Sequence, residues 1–429
     1  MSDTSGRRPR ALDPRPALRA AIAGALGGLI GGGYRLTLGL AYPWHVKLLV
    51  EVGDVAFGWV VLVVLFAGGA ALSSWLTVRF APEAAGSGIP HVEESIANDR
   101  RLRWQRLLPV KFVAGALALV SGLSLGREGP TVHLGAGVAS ALEGPLGLRE
   151  RRAMLAAGAA AGLTAAFSAP IAGFVFVLEE LRQQPNRLLV STVLPAVLMS
   201  YLVTTWLLGS RPMFPLPPAP PPSAALTPLF IALGLAAGMV GVAFNRGLLR
   251  ALDLFEALPG PPWLGAAAVG VLAAGVACWL PYAIGNGEPA AEAMIRGDFP
   301  AALAGLVLFL VVKLGLMAVS YGCGVPGGIF APQLVLGATL GAIAHALAPD
   351  LAGGTLAPVL ATAGMAGVFV ASVRAPITGL VLLVELTAEG HLLLAQSMTA
   401  LAAYLFAAGV RDLPVYEALR ERDARRGLG

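Results

Sequence analysis

Gly126-Arg127-Glu128-Gly129-Pro130 opens one apolar stretch of the chain, and Gly328-Ile329-Phe330-Ala331-Pro332 opens another 202 residues later. Around these two segments the same frame recurs. Lys111, Gly122, Gly126, Pro130, Leu134, Gly135 and Ala136 align with Lys313, Gly324, Gly328, Pro332, Leu336, Gly337 and Ala338 at that spacing. A second block pairs Gly158, Ala165, Ala169, Pro170, Ile171, Gly173 and Glu179 with Gly364, Ala371, Ala375, Pro376, Ile377, Gly379 and Glu385, now 206 residues apart. Lys, Gly and Pro returning in one order mark two similar halves. Such fused halves are common in transporters, whose substrate site sits near the bilayer midplane where broken helices meet.

The solvent of this chain is lipid. Of its 429 residues 56% are hydrophobic and only 13% charged, with a mean hydropathy of +0.75. A soluble protein carries about 25% charged residues, so roughly half of the expected water-facing surface is missing. Runs at 60–71, 188–208, 230–244, 301–319 and 379–386 hold few or no charges, and several approach the ~20 residues needed to cross a bilayer. The fold class is therefore an all-α polytopic membrane protein.

The net charge of +5 does not indicate a nucleic-acid partner. Basic residues cluster at 7–19, 100–106, 149–152 and 420–426, and loops rich in Lys and Arg stay on the cytoplasmic side. Both termini are thus expected in the cytoplasm of a multi-pass cell-membrane protein. The N-terminus lacks the compact apolar core and cleavage site of a signal peptide. Two cysteines, Cys278 and Cys323, are too few for a disulfide framework and are expected to be reduced packing residues. Neither a metal-ligand cluster nor a cofactor motif is visible. The expected organisation is a cytoplasmic segment 1–17, a first membrane repeat 18–209, a Pro-rich exposed linker 210–225, a second repeat 226–416 and a cytoplasmic tail 417–429.

Three Gly-rich signatures interrupt the apolar pattern: Gly86-Ser87-Gly88-Ile89-Pro90, Gly126-Arg127-Glu128-Gly129-Pro130 and Gly327-Gly328-Ile329-Phe330-Ala331-Pro332. Pro suits the first turn of a helix, where its missing N–H would be unpaired anyway, and glycines permit tight turns before it. Each signature thus predicts an unwound segment feeding a helix N-terminus. Free N–H groups and the positive end of the helix dipole make that terminus an anion site. Non-helical backbone at membrane depth is tolerated only where protein buries it or it lines a polar cavity. Glu128, an ionisable group in such a place, is a functional candidate on cost alone.

The three motifs, in this order and spacing, resemble those of the CLC family of chloride channels and H⁺/Cl⁻ antiporters, and the likeness runs from about residue 20 to 419. The resemblance implies two inverted repeats of short, tilted, re-entrant helices, and a homodimer in which each subunit holds its own chloride path. It implies that Ser87, through its hydroxyl, and Gly88 beside it meet a central anion together with the backbone N–H groups of Ile329 and Phe330. Tyr416, in Leu413-Pro414-Val415-Tyr416, would complete that site, with Tyr321 and Tyr404 as competitors for the role. Glu128 would be the gate, a carboxylate that occupies an anion position until a proton releases it. Arg127 beside it would position it or set the extracellular electrostatics.

Glu179 has a counterpart in Glu385, whereas Glu180 faces Leu386. The shared carboxylate is expected to serve the fold. The unmatched Glu180 corresponds to the internal proton-transfer glutamate of the family's exchangers, which favours coupled H⁺/Cl⁻ exchange over a passive voltage- or pH-gated channel. Glu93 and Lys111, both at membrane depth, are expected to form a structural ion pair, because pairing reduces the cost of burying either. The 13 residues after Tyr416 leave no room for the nucleotide-sensing domains of many eukaryotic members, and a bacterial inner-membrane protein is expected. An organic-solute carrier and a membrane-embedded enzyme are the competing classes; no nucleophile–base constellation, zinc pattern or phosphate-binding Lys motif supports the latter.

Overall fold

A computed structural model describes residues 14–53, 58–217, 219, 221–348 and 356–425, with the side chains of 42–53 outside the description. Helices of the first half are α1 (Pro14–Gly53), α2 (Gly58–Phe80), α3 (Ile89–Ala97), α4 (Trp104–Val120), α5 (Glu128–Ala141), α6 (Leu148–Phe167), α7 (Pro170–Glu179) and α8 (Arg187–Leu208). The second half repeats the order as α9 (Thr227–Ala257), α10 (Pro262–Trp279), α11 (Glu288–Arg296), α12 (Leu303–Gly322), α13 (Phe330–Leu347), α14 (Ala357–Val373), α15 (Pro376–Thr387) and α16 (Leu393–Gly409). A last helix, α17 (Val415–Arg425), follows.

Seven helices among the described residues (α2, α8, α9, α10, α12, α13 and α16) are long and apolar enough to span a membrane. Their outer faces expose residues such as Val64, Leu202, Trp206 and Val311, as lipid requires. The short helices matter more for function. α3 and α11 have 9 residues each, α7 has 10 and α15 has 12. At 1.5 Å per residue these reach only about half of a ~30 Å hydrocarbon core, so they end inside it. Each starts with Pro at its first or second position, where the ring fits the first turn.

Reciprocal bonds relate the two halves as inverted repeats. Lys111 Nζ donates to the carbonyls of Ala84 and Gly86 at 2.9 and 2.7 Å. Lys313 Nζ makes the matching pair with Ala283 and Gly285, both at 2.9 Å. Gly126 N–H donates to Gly328 O at 2.7 Å, and Gly328 N–H donates back to Gly126 O at 2.7 Å. Close backbone packing also repeats: a Cβ at Gly135 would come 2.2 Å from Gly158 O, and one at Gly337 would come 2.4 Å from Gly364 O. Small residues let helix backbones approach in this way where lipid supplies no hydrophobic drive. The pseudo-two-fold passes between Gly126 and Gly328.

Three features depart from the sequence expectations. α1 starts at Pro14, ahead of residue 18, since Pro is accommodated in a first turn. The Pro-rich linker does not stand free: Phe214 is buried, its N–H donates to Leu386 O at 2.9 Å, and Ala219 O lies 3.0 Å from His391 Nε2. An aromatic ring inside a Pro-rich run has its own reason to leave water. Residues 417–425 are helical as well, with Ala418, Leu419 and Arg422 buried on one face of α17. Of the cysteines, Cys323 is buried and Cys278 is exposed, both with free thiols.

Candidate functional site

All three Gly-rich loops meet at the pseudo-axis. Gly86 N–H donates to Val325 O at 3.1 Å and Gly327 N–H to Gly86 O at 2.9 Å, which ties the first loop to the third. The first and second touch at Gly129, where a Cβ would come 2.7 Å from Ser87 Cβ. The second and third touch at Gly328, where a Cβ would lie 2.7 Å from Gly129 N. Glycine is required here because any side chain would wedge the loops apart. α3 begins at Ile89, α5 at Glu128 and α13 at Phe330, so three helix N-termini converge with their unpaired amides.

Glu128, the first residue of α5, is fully buried. Its carboxylate is folded back over Gly126, where a Cβ would come 2.0 Å from Oε2, and Gly328 lies on its other side. The amides of Glu128 itself and of Ala331 face it, yet neither carboxylate oxygen has a hydrogen-bond partner of good geometry. Arg127 points away into an ion pair with Glu288 at 2.6 Å. Its Nη2 also approaches Met213 Sδ at 3.9 Å, so the linker covers this flank.

Below Glu128, Ser87 is buried and its Oγ accepts from Ile89 N–H at 3.3 Å. Phe330 packs edge-on to Phe176, Phe369 and Tyr416, at 5.7 Å for the tyrosine. The Tyr416 hydroxyl is buried without a partner, within electrostatic reach of Tyr321, Glu180, Glu128 and Glu93. Ser87, Gly88, Glu128, Ile329, Phe330 and Tyr416 are therefore gathered in one place. Of the competing tyrosines, Tyr404 is far from it, half-exposed beneath the Arg374 guanidinium. Tyr321 is at the site: its hydroxyl accepts from Ser87 N–H at 3.2 Å. The signal for it lay in the repeat, where Tyr321 falls opposite Leu119.

Glu180 ends α7 and is buried. It faces the carboxyl of Glu93 on α3, while Arg182 is engaged elsewhere, by Glu417. The expected Glu93–Lys111 ion pair does not exist. Lys111 lies in the middle of α4, and its ammonium is taken up by the carbonyls of Ala84 and Gly86. Glu93 looks the other way, towards Glu180 and Arg420, the latter at 3.6 Å. Carbonyls that end an unwound loop need donors too, and Lys111 answers them, which a charge-matching argument overlooks. A cavity of about 1150 Å³ reaches this region from the α17 side, touching Gly86, Gly88, His91, Tyr321 and Arg420.

Fold and geometry together define a polytopic helical membrane protein whose broken helices aim three N-termini at one buried point. The family model described as voltage gated chloride channel matches residues 69–408. The H(+)/Cl(-) exchange transporter ClcA of Vibrio vulnificus (strain YJ016) is 36% identical over 417 residues, covering 94% of this chain and 88% of that protein. The ClcA transporter of Salmonella typhi is 37% identical, covering 94% and 87%. Among solved structures, a slow cyanobacterial Cl⁻/H⁺ antiporter superposes with a TM-score of 0.89 at 30% identity, covering 96% of this chain and 98% of that one. A eukaryotic CLC transporter shares the fold at a TM-score of 0.77 and 22% identity, over 94% of this chain and 74% of that one. The chain belongs to the voltage gated chloride channel, or CLC, family.

Proposed function

We propose that the protein exchanges chloride for protons across a membrane, with Glu128 as the group through which the two ions compete. The observation that supports this most is the position of Glu128, a carboxylate buried among helix N-termini with neither oxygen hydrogen-bonded. Chloride and a carboxylate are both anions and seek the same amide dipoles. A proton on Glu128 removes its claim and frees the position for chloride; loss of the proton returns it. Amides and hydroxyls bind a halide without the tight hold of a buried cation, as conduction requires. Ser87, Gly88, Ile329, Phe330 and Tyr416 supply those donors below the gate.

The Glu180–Glu93 carboxyl pair lies beside α17, and Glu180 is the proton's relay from that side. The relatives named as exchange transporters support coupling over passive flow. The basic clusters come together near this same side: Arg151 reaches Asp99, Arg152 reaches the Ala97 carbonyl and Arg420 reaches Glu93. That gathering supports a cytoplasmic placement of α17 and the C-terminus; Arg19, bonded to the Glu143 carbonyl at 2.8 Å, supports the same side for the start of α1, and the bacterial relatives support a bacterial inner membrane. The family likeness supports a homodimer with one path per subunit.

Reconstitution into liposomes tests the reading. A chloride gradient is expected to drive protons uphill, and Glu128→Gln to abolish proton movement while chloride flux persists. A wild-type protein that moves chloride with no change in pH would establish a channel instead. Loss of chloride flux in the Gln variant would remove Glu128 from the gating role.

A further inference from the structure

Behind the first loop lies a pair of histidines that the exchange reaction, as described, does not use. His133 is on α5 and fully buried; His91 is on α3, half-buried, and lines the large cavity. His91 Nδ1 and His133 Nε2 are 3.0 Å apart. At that distance one nitrogen donates and the other accepts, so a single proton joins the rings. His133 Nδ1 has no hydrogen-bond partner. It is pressed against Gly88 so closely that a Cβ there would come within 2.1 Å of it. One end of the pair thus faces the cavity and the other abuts the residue that follows Ser87.

We propose that His91 and His133 form a proton-binding site, loaded from the cavity, whose positive charge strengthens anion binding at the Ser87–Gly88 loop. The step moves one proton from cavity water onto the imidazole pair and breaks no other bond. An unperturbed histidine changes charge between pH 5 and 8; burial and the Lys111 ammonium oppose a charge on this pair, so it loads towards the acid end of that range or below it. Other charges facing the pair are fixed in their own contacts. Glu83 holds Arg106 at 2.6 Å, Glu94 holds Arg100 at 3.1 Å, and Lys111 on α4 is bonded to two carbonyls. Across the cavity stand Glu256, Arg420, Glu421, Arg422 and Asp423, where Arg422 bridges Glu256 and Asp423. α6 meets α5 through backbone contacts at Gly158 and Gly162. Further along α3, Glu93 turns to Glu180 and Arg420 on the α17 side, and the imidazoles are then the groups that bring a new charge up against Gly88 itself.

By linkage, an anion at the loop favours the loaded pair as much as the loaded pair favours the anion. A unit charge within about 10 Å of the anion, at an effective dielectric constant of about 20, changes affinity on the order of tenfold. The inference rests on the anion-site reading above, and the experiment separates the two. Chloride binding to purified protein in detergent is measured by calorimetry from about pH 8 to about pH 4.5 in a Glu128→Gln background, which removes the gate's own titration. Affinity is expected to rise about tenfold on acidification, and to stay within about twofold once His133→Gln or His91→Gln is added. Undiminished pH dependence in both double variants would overturn the proposal and leave the anion site standing. No chloride binding at any pH in the Glu128→Gln protein would overturn the anion site and this inference with it. Should His133→Gln prevent folding, His91→Gln at the cavity wall decides alone.

Discussion

Removing either of two matched carboxylates, Glu179 or Glu385, is expected to cost stability and leave proton coupling intact. Glu385 accepts from the N–H groups of Ile171 and Ala172 at 2.9 and 2.7 Å, capping α7. Glu179 does the same for α15, accepting from Ile377 and Thr378 at 3.1 and 2.7 Å. Hydrogen bonds to a charged group contribute about 1.5–3 kcal/mol each when well buried. These carboxylates are half-exposed, so water would replace part of each bond, and about 1 kcal/mol per bond is the better figure. The helix dipole adds roughly 0.5 kcal/mol, giving about 2–3 kcal/mol for each Glu→Ala change. For a chain of this length that lowers the midpoint of thermal unfolding by about 2–4 °C. Glu→Gln, which keeps one acceptor, should lose about half as much. The assay is survival of the monodisperse detergent peak after heating, beside the H⁺:Cl⁻ ratio in liposomes. Both single variants should shift alike and keep the wild-type ratio. The reasoning fails if the double Ala variant melts with the wild type, or if Glu179→Ala uncouples protons while Glu385→Ala does not.

Three further outcomes follow from the same contacts. A double-mutant cycle between Glu93→Gln and Lys111→Met, read by thermal unfolding, should show coupling below ~0.5 kcal/mol; Lys111→Met alone should cost about 3 kcal/mol by stranding the carbonyls of Ala84 and Gly86, and coupling above ~1 kcal/mol would restore the ion pair. Tyr416→Phe removes a hydroxyl with no internal partner, so it should leave stability within ~0.5 kcal/mol while weakening chloride binding several-fold, whereas Tyr321→Phe strands the Ser87 N–H and should destabilise by about 1–2 kcal/mol. Gly88→Ala, at φ +86° and 2.1 Å from His133 Nδ1, should yield no folded protein, whereas Gly209→Ala, at φ +87° and ψ 173° with open space around it, carries backbone strain alone and should cost about 1–3 kcal/mol; equal expression of the two would contradict the packing.

Much of this arrangement is legible in the sequence, because it depends on residues whose backbone chemistry is distinctive. Gly and Pro mark the three loops and the starts of α3, α5 and α13 whatever surrounds them, and a carboxylate such as Glu128 stands out in apolar sequence by its cost. What stayed hidden depends on direction. Lys111 and Glu93 are both buried charges, and opposite signs suggested a pair, but only the turn of α4 shows the ammonium aimed at loop carbonyls. Tyr416 stands ahead of Tyr321 and Tyr404 by its place after Leu413-Pro414, but position in the chain does not reveal that Tyr321 also ends at the site, behind Ser87, while Tyr416 lies beside Phe330. The His91–His133 contact joins α3 to α5 and has no spacing rule to reveal it.

The two halves share the frame and differ at the residues to which the proposed exchange assigns its chemistry. Lys111 and Lys313, Gly126 and Gly328, and Glu179 and Glu385 occupy equivalent places and make equivalent bonds, which is what a two-fold axis needs to hold two helix bundles together. Across the same axis Glu128 stands opposite Phe330, His133 opposite Val335, Tyr321 opposite Leu119 and Glu180 opposite Leu386. A perfectly symmetric pair of repeats would put a carboxylate on both sides of the meeting point, and two like charges there would repel each other as strongly as either repels chloride. It would also present the same face to both sides of the membrane, with no reason for proton and halide to take different routes. With an apolar side chain at one member of each pair, the axis carries one carboxylate, Glu128, and the proposed relay Glu180 has no counterpart on the opposite flank. On the proposed exchange, direction is a property of the mismatches, and a substitution that restored symmetry, such as Phe330→Glu, should abolish chloride binding even if the fold survives.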